Sequence, residues 1–313
     1  MLLTLALGGC RSVSDPALDP YAGPQPIAVL LDSSVWDAPG ALPTPTAAVY
    51  EDGQVIFTAW EGQGTAFTLK HRTLTLSPTA LESLRRQVHD LAALKPLRPS
   101  YKALDDGHLV HDVAHDEIYV RDGRRGRGAV VSVYALGWVL HEKDHPGRSN
   151  LPPPRLRPVA RGGPPPQFMS LYHTLDALAR TPASASQTWT PRHVEVLLRD
   201  DFKHKFHRFV SWPAEWPALT SPHARQRGAH SWAVLLEGTE LPRVRQVLPI
   251  ESLECGISLQ DKRWAAFWRP VLPGEPTWGN ALRDPYRYGR RTIASLAKDL
   301  WKHGVKGRSD PWW

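Results

Sequence analysis

The feature that most constrains the fold is an Asp-Gly dipeptide between two segments of alternating polarity. Asp52 and Gly53 separate residues 47–50 from residues 55–60. Both dipeptide residues tolerate a positive φ, which makes Asp-Gly in this setting the strongest short-range signal for a β-hairpin. We therefore expect an antiparallel sheet. Its flanking strands are predicted at residues 27–31 and 66–74.

The apolar spacing then changes to three or four residues, which predicts a helix. Ser77 is suited to cap this helix and Pro78 to occupy its first position. A second amphipathic helix is predicted after a proline-rich crossing at residues 152–166. The apolar stripes of the two helices are Leu81, Leu84, Val88 and Leu91, then Phe168, Leu171, Leu175 and Leu178. Helices with a single apolar stripe bury it against a sheet, so the predicted fold class is α+β, antiparallel sheets with amphipathic helices packed on one face.

Two regions of this kind are expected. A second hairpin is predicted around Asp122-Gly123, with strands at residues 116–121 and 129–136. From Trp189 onward the pattern predicts another set of elements, whose order loosely resembles that of the first region. They are strands at 194–198 and 231–236, a short helix at 241–248, and paired strands at 254–259 and 263–271.

The 30 prolines mark the expected joints of the chain. They cluster around residues 16–26, 39–45, 152–166 and 270–285, where a regular element is disfavoured. The predicted organisation is a signal peptide (1–9), an anchor with a flexible tether (10–26), an α+β domain (27–185), a second α+β region (186–283) and a basic helical tail (284–313).

The N-terminus carries a short apolar run that ends in Leu7, Gly8, Gly9 and Cys10. This tetrapeptide resembles the lipobox of bacterial lipoproteins, in which the cysteine thiol receives a diacylglyceryl group and the preceding peptide is removed. The resemblance implies that Cys10 becomes the first residue of the mature protein. It also implies attachment to a membrane through lipid. A frayed apolar N-terminus with an incidental Cys10 is the alternative, because no Lys or Arg precedes the run.

Three further features agree with an envelope protein. Arg11 follows the cysteine where enteric-type lipoproteins retained at the inner membrane carry Asp, which favours the outer membrane, facing the periplasm. Cys255 has no partner if Cys10 is acylated, so no disulfide framework is expected. The formal net charge of +7 indicates anionic partners, here anionic lipid or a cell-wall polymer and not nucleic acid.

The sharpest catalytic motif is His141-Glu142-Lys143-Asp144-His145, which resembles the His-Glu-x-x-His motif of zinc metalloproteases. In such enzymes His141 and His145 would bind zinc and Glu142 would act as the general base. Pro146 disfavours helical geometry at His145, so we interpret the segment as a solvated loop and keep the zinc-dependent hydrolase as an alternative.

A second alternative concerns the loop of the Asp122-Gly123 hairpin. Arg124, Arg125 and Arg127 alternate with glycines there and are suited to contact anionic glycan or lipid. The other interpretation of this loop is a solvated turn. Trp264 and Trp268 are expected in the core, on one face of a strand.

The body of the chain resembles bacterial envelope proteins without an assigned activity. The resemblance is carried by the Asp-Gly hairpin, the helix that begins at Ser77-Pro78, and the Leu-Pro-Gly-Glu stretch at residues 272–275. These motifs are turns and caps, so they specify a fold more than a chemistry. The sequence therefore predicts a lipid-anchored cell-envelope protein with a binding or structural role, no enzymatic centre and no cofactor.

Overall fold

A computed structural model describes residues 19–33, 44–63, 66–95, 97–98, 100–105, 115–121, 128–134, 136, 157–158, 163–200, 208–249 and 255–278. These residues form an eight-stranded sheet, a six-stranded sheet and a two-stranded ribbon, together with three α-helices. The predicted α+β class is therefore confirmed. No helix in the described ranges is long and apolar enough to cross a membrane.

The eight-stranded sheet contains the predicted Asp-Gly hairpin. Its neighbours pair antiparallel except at one edge, where β5 runs parallel to β8, and the strand order is β10-β4-β3-β2-β1-β7-β8-β5. Gly53 has a φ of +86° and closes the hairpin turn by donating to the Tyr50 carbonyl at 3.0 Å. The strands are β1 (Pro26–Ser33), β2 (Ala47–Tyr50), β3 (Gln54–Gln63), β4 (Ala66–Thr75), β5 (Ser100–Lys102), β7 (His115–Arg121), β8 (Gly128–Tyr134) and β10 (Gln187–Thr188). The ribbon pairs β6 (Leu104–Asp105) with β9 (Arg157–Pro158).

Two helices cover one face of the eight-stranded sheet, α1 (Pro78–Ala92) and α2 (Pro166–Ala179). Ser77 caps α1 as predicted, since its hydroxyl oxygen accepts a hydrogen bond from the Ala80 amide at 3.2 Å. Apart from Tyr172 on α2, the buried side chains of both helices come from the predicted apolar stripes. They are Leu84, Val88 and Leu91 on α1, and Phe168, Leu171 and Leu175, with Tyr172, on α2.

The six-stranded sheet has the order β12-β15-β16-β11-β14-β13. Helix α3 (Leu241–Val247) covers one of its faces, and Trp216 and Trp264 are buried in the core between them. Trp268 packs against the same core, so the predicted position of Trp264 and Trp268 is confirmed. The strands are β11 (His193–Arg199), β12 (Arg208–Ser211), β13 (Ala224–Gly228), β14 (Ser231–Glu237), β15 (Cys255–Leu259) and β16 (Lys262–Pro270).

The residues that follow β16 return to the eight-stranded sheet. Leu272 and Trp278 are buried on its second face, the one opposite the two helices, with Tyr50 and Tyr119. Trp189 packs against the same cluster. The two sheets therefore meet where the chain leaves β16, and the candidate site lies at this junction.

Candidate functional site

A buried ion pair joins two neighbouring strands of the six-stranded sheet. Glu195 on β11 and Arg269 on β16 are direct partners in the strand register, and both side chains lie on the face opposite α3. The Arg269 guanidinium donates through Nε and Nη2 to Glu195 Oε2, at 2.9 and 2.6 Å. Only 6% of Arg269 is exposed, so this charge depends on its partners for solvation.

A second carboxylate completes the coordination of Arg269. Glu275 follows the turn after β16, in which Gly274 adopts a φ of +62°. Its carboxylate accepts from Arg269 Nη1 at 2.7 Å and from Nη2 at 2.5 Å. Glu275 also accepts from the Leu272 amide at 3.3 Å. The turn thus positions Glu275 against the end of the strand that carries Arg269.

The network continues to the surface through Arg227 on β13. Its guanidinium donates to the second oxygen of Glu195, and its side chain is 30% exposed. Arg227 also forms a side-chain hydrogen bond with Tyr21. Charges of opposite sign therefore alternate from Arg227 through Glu195 and Arg269 to Glu275. We call these four residues the junction network.

The junction network keeps its groups charged. Burial by itself raises the pKa of the Glu195 carboxyl, but Arg269 and Arg227 outweigh it and the pKa is lowered. Burial by itself lowers the pKa of Arg269, but Glu275 and Glu195 outweigh it and the pKa is raised. Glu195 is therefore a carboxylate at neutral pH, and both its oxygens are bound by guanidinium groups.

The segment Asp19–Gln25 docks at the junction network. The Tyr21 carbonyl accepts from the Gly274 amide at 2.9 Å, and the Gln25 and Thr277 side chains are 2.8 Å apart. Burial, Glu195 and Glu275 raise the pKa of Tyr21. The part of the predicted tether (10–26) from Asp19 onward is thus held against the fold.

The same segment is also bound to the eight-stranded sheet. The Gln25 carbonyl accepts from the Glu51 amide at 3.0 Å. Arg121 donates to the Pro26 carbonyl at 3.1 Å and to the Glu51 carboxylate at 2.9 Å. Residues 19–25 therefore bridge the two sheets, and we call them the N-terminal strap.

Two aromatic side chains lie on the buried side of the junction. Tyr50 and Trp278 are fully buried, and neither the Tyr50 hydroxyl nor the Trp278 indole nitrogen has a hydrogen-bond partner among the described residues. Burial, then the nearby Glu275 and Asp52 charges, raise the pKa of Tyr50. The Tyr50 phenol is therefore neutral at physiological pH and is unsuited to act as a general base.

His71 on β4 is a second buried titratable group near the junction. Burial, with a smaller contribution from Arg245, lowers its pKa to about 4. Neither ring nitrogen has a hydrogen-bond partner among the residues that the structure describes, and the ring lies edge-on to Trp189 with 6.1 Å between centroids. His71 is therefore neutral at pH 7 and functions there as an apolar core residue.

The chemistry of the junction is structural. A carboxyl group that serves in acid–base catalysis exchanges a proton near neutral pH, whereas the pKa of Glu195 is lowered and both its oxygens are bound by guanidinium groups. Within the described ranges, no three His, Cys, Asp or Glu side chains come together as a metal site. The junction network instead holds the turn after β16 and Tyr21 of the strap against the six-stranded sheet.

The site residues that the sequence singles out lie outside the described residues. These are the lipidation site Cys10, the zinc-site candidates His141, Glu142 and His145, and the loop arginines Arg124, Arg125 and Arg127. Lipidation, zinc binding and anion binding by that loop remain predictions. The predicted C-terminal tail lies outside the described residues as well.

The junction network is not predicted from the sequence, although the strands that carry it contain a signal. Glu195 and Arg269 interrupt strands that are otherwise strongly apolar, at Val194-Glu195-Val196 and Phe267-Trp268-Arg269. A charged residue in an apolar strand needs a partner if it is buried. Glu275 belongs to a Leu-Pro-Gly-Glu stretch that the sequence presents only as a turn.

Comparisons with protein-family models, curated proteins and solved structures find no match to this chain. No activity is therefore carried over from a relative. The function is inferred from the residues and geometry of this chain.

Proposed function

We propose that this protein is a lipid-anchored cell-envelope protein with a binding or structural role. Its attachment point is the thiol of Cys10, and its expected location is the outer membrane, facing the periplasm. The lipobox-like tetrapeptide at residues 7–10 supports this proposal from the sequence. The docked strap supports it from the structure, because it begins nine positions after Cys10.

The observation that carries the proposal is the position of the strap. Because Tyr21 and Gln25 are bound to the fold, only residues 11–18 separate Cys10 from the docked segment. A fully extended chain over these positions spans at most about 32 Å. A lipid on Cys10 would therefore hold the fold close to the membrane surface, which suits a protein that acts on the membrane or next to it.

The use of the buried charges supports a binding or structural role over catalysis. Glu195, Arg269 and Glu275 neutralise one another, and their hydrogen bonds join β11 and β16 to the turn on which the strap docks. In this proposal the buried network serves to fix one arrangement of the elements it joins. A rigid junction next to the membrane anchor is expected of a scaffold protein that presents a binding surface.

Metabolic labelling with a palmitate analogue tests the anchor. We expect label on the wild-type chain and on a Cys255→Ala variant, and no label on Cys10→Ala, because Cys10 is the acylated thiol. The Cys255→Ala variant is the matched control, since it removes the other cysteine of the chain. Equal labelling of wild type and Cys10→Ala would overturn the proposal.

Metal analysis separates the proposal from the hydrolase alternative. A binding or structural protein is expected to carry no stoichiometric zinc after purification. Zinc at one equivalent that is lost in His141→Ala would instead assign a zinc-dependent hydrolase to His141, Glu142 and His145.

A further inference from the structure

His193 lies where the N-terminal strap meets the six-stranded sheet. It is the first residue of β11, and its ring hydrogen-bonds to the backbone of Pro20 in the strap. Tyr21, the next residue of the strap, bonds with Arg227 on β13. The His193 carbonyl accepts from the Val271 amide at 2.9 Å, and Val271 leads into the turn on which the strap docks. His193 therefore contacts both the strap and the segment that holds the strap.

The surroundings of the His193 ring suit a neutral imidazole. The side chain is 13% exposed, and its Nδ1 atom is buried without a hydrogen-bond partner among the described residues. A neutral ring with its hydrogen on Nε2 needs no acceptor beside Nδ1. A protonated ring carries a hydrogen on each nitrogen, and the one on Nδ1 would be a buried donor without an acceptor. The structure with the strap docked therefore favours neutral His193.

The groups that face His193 act in both directions. Burial is the largest influence, and it lowers the pKa of His193. The Glu237 carboxylate on β14, 3.7 Å from Nε2, raises this pKa, as does the bond to Pro20. Arg192, which precedes β11, and His223, which precedes β13, lower it. The Glu237 side chain is 69% exposed, so water screens its attraction, and the pKa of His193 is lowered overall.

The other ionisable groups at the docked strap keep their charge state between pH 7 and pH 5. Burial by itself raises the pKa of Glu195, but Arg269 and Arg227 outweigh it, so Glu195 stays a carboxylate. Burial, Glu195 and Glu275 raise the pKa of Tyr21 from its ordinary value of 10, so Tyr21 stays neutral. Among the described side chains that bond to the strap, His193 is the one with an ordinary pKa of about 6.5.

We propose that the N-terminal strap is a pH-sensitive switch, which is docked while His193 is neutral and is released when His193 is protonated. Release uncovers the ring and gives Nδ1 access to water, so the undocked state binds more protons than the docked state below about pH 6.5. Docking is therefore strongest at neutral pH and above, and it weakens as the pH falls.

Release of the strap would change how far the fold reaches from the membrane. This consequence rests on the proposed lipid anchor at Cys10. With the strap docked, the chain from Cys10 to Asp19 spans at most about 32 Å. With the strap released, the free chain extends to Pro26 at the start of β1 and spans at most about 58 Å. Acid would thus lengthen the tether between lipid and fold.

Hydrogen exchange of the full chain carrying Cys10→Ala measures docking without the lipid. The protection of residues 19–25 is compared with that of β1 at pH 7 and at pH 5, so that global unfolding cancels. We expect the relative protection of the strap to fall roughly fivefold at pH 5. His193→Gln keeps a hydrogen-bond donor but does not titrate, and its relative protection should not change with pH.

His230→Gln is the matched control, because His230 is bonded to Asp200 at the opposite end of β11. It should keep the acid response. An equal acid response in the parent chain and in His193→Gln would overturn the proposal, and so would a strap whose relative protection is the same at both pH values.

Titration of the His193 ring by NMR provides a second test, in which His193 itself is retained. Because linkage is reciprocal, weakening the docking of the strap with Gly274→Ala should raise the pKa of His193 towards 6.5. An unchanged pKa would contradict the switch. Absence of palmitate label from the wild type with an intact acid response would refute the anchor alone, whereas label without an acid response would refute the switch alone.

Discussion

Arg269 and Glu275 are six residues apart in sequence, and their side chains form a bidentate ion pair. The distances are 2.7 Å from Nη1 to Oε2 and 2.5 Å from Nη2 to Oε1. The turn at Gly274 brings the carboxylate back against the end of β16. Because Arg269 also binds Glu195 on the neighbouring strand, one guanidinium fixes a strand, a turn and the strap that docks on that turn. This one side chain therefore links β11 and β16 to the turn on which the strap docks.

Replacing Arg269 with Met is expected to destabilise the fold strongly. The substitution leaves the buried Glu195 and Glu275 carboxylates without their common cation, and breaking a buried pair in this way costs about 3–5 kcal/mol. Urea unfolding measures the change. Arg85→Met is the control, since its ion pair with Glu82 is solvent-exposed, and it should change stability by less than about 1 kcal/mol.

The triple variant Glu195→Leu, Arg269→Met, Glu275→Leu distinguishes the cost of unpaired buried charges from the cost of lost side-chain packing. Removing all three charges leaves no buried charge unpaired except for the partly exposed Arg227, so the triple variant is expected to be more stable than Arg269→Met. If the triple variant is the less stable of the two, then packing around the side chains and not unpaired charge accounts for the loss.

The sequence predicted the elements whose signals are local. The Asp52-Gly53 hairpin, the Ser77 cap and the stripe of α1 each depend on neighbours a few residues away. The strands that were missed are short or lie at sheet edges. Except for β13, which pairs with the next strand β14, their partners are distant in the chain. The missed strands are β5, β6, β9, β10, β12 and β13.

The junction could not be predicted in the same way, because it depends on long-range contacts. Glu195 and Arg269 are 74 positions apart, and Thr277 meets Gln25 across 252. A proline-rich N-terminal segment predicts a tether, and nothing in its composition indicates that Tyr21 binds Gly274 and Arg227. Only the assembled sheets bring these groups together.

His71 is expected to make stability depend on pH. Its pKa is lowered to about 4 in the fold from 6.5 in the unfolded chain, so the unfolded state binds more protons between these values. Stability therefore rises as pH increases from 4 to 6.5, and the contribution of this group is about 3 kcal/mol. Urea unfolding of wild type and His71→Leu across this range measures it.

The His71→Leu variant is expected to show a shallower pH dependence than wild type, because the buried titration is gone. His173→Leu, at an exposed position on α2, is the control and should keep the wild-type dependence. Identical pH profiles for wild type and His71→Leu would contradict the burial of a neutral His71.

Two glycines with positive φ should respond differently to substitution. At Gly53 (φ +86°) an added Cβ meets only ordinary contacts at 3.5 Å, so the cost is conformational, and Asn, which tolerates this region, should cost less than Ala. At Gly274 (φ +62°) the Cβ would lie 2.6 Å from Pro26 Cδ. Asn and Ala should therefore both destabilise there.

Hydrogen exchange of the strap reports the Gly274 effect directly. Substitution at Gly274 displaces Pro26 and the neighbouring strap, so exchange over residues 19–25 should accelerate. Gly53 variants should accelerate it less, because their turn contacts the strap only through Glu51. If Asn is favoured over Ala at position 274 as strongly as at position 53, close packing against Pro26 does not limit substitution at this turn.

The anchor is tested most directly by mass spectrometry of the mature N-terminus from membranes of the native host. We expect a chain that begins at Cys10, carries a diacylglyceryl group on its sulfur, and lacks residues 1–9. A mature chain that retains residues 1–9, or one with an unmodified Cys10, would contradict the proposal that this protein is held at the membrane by lipid.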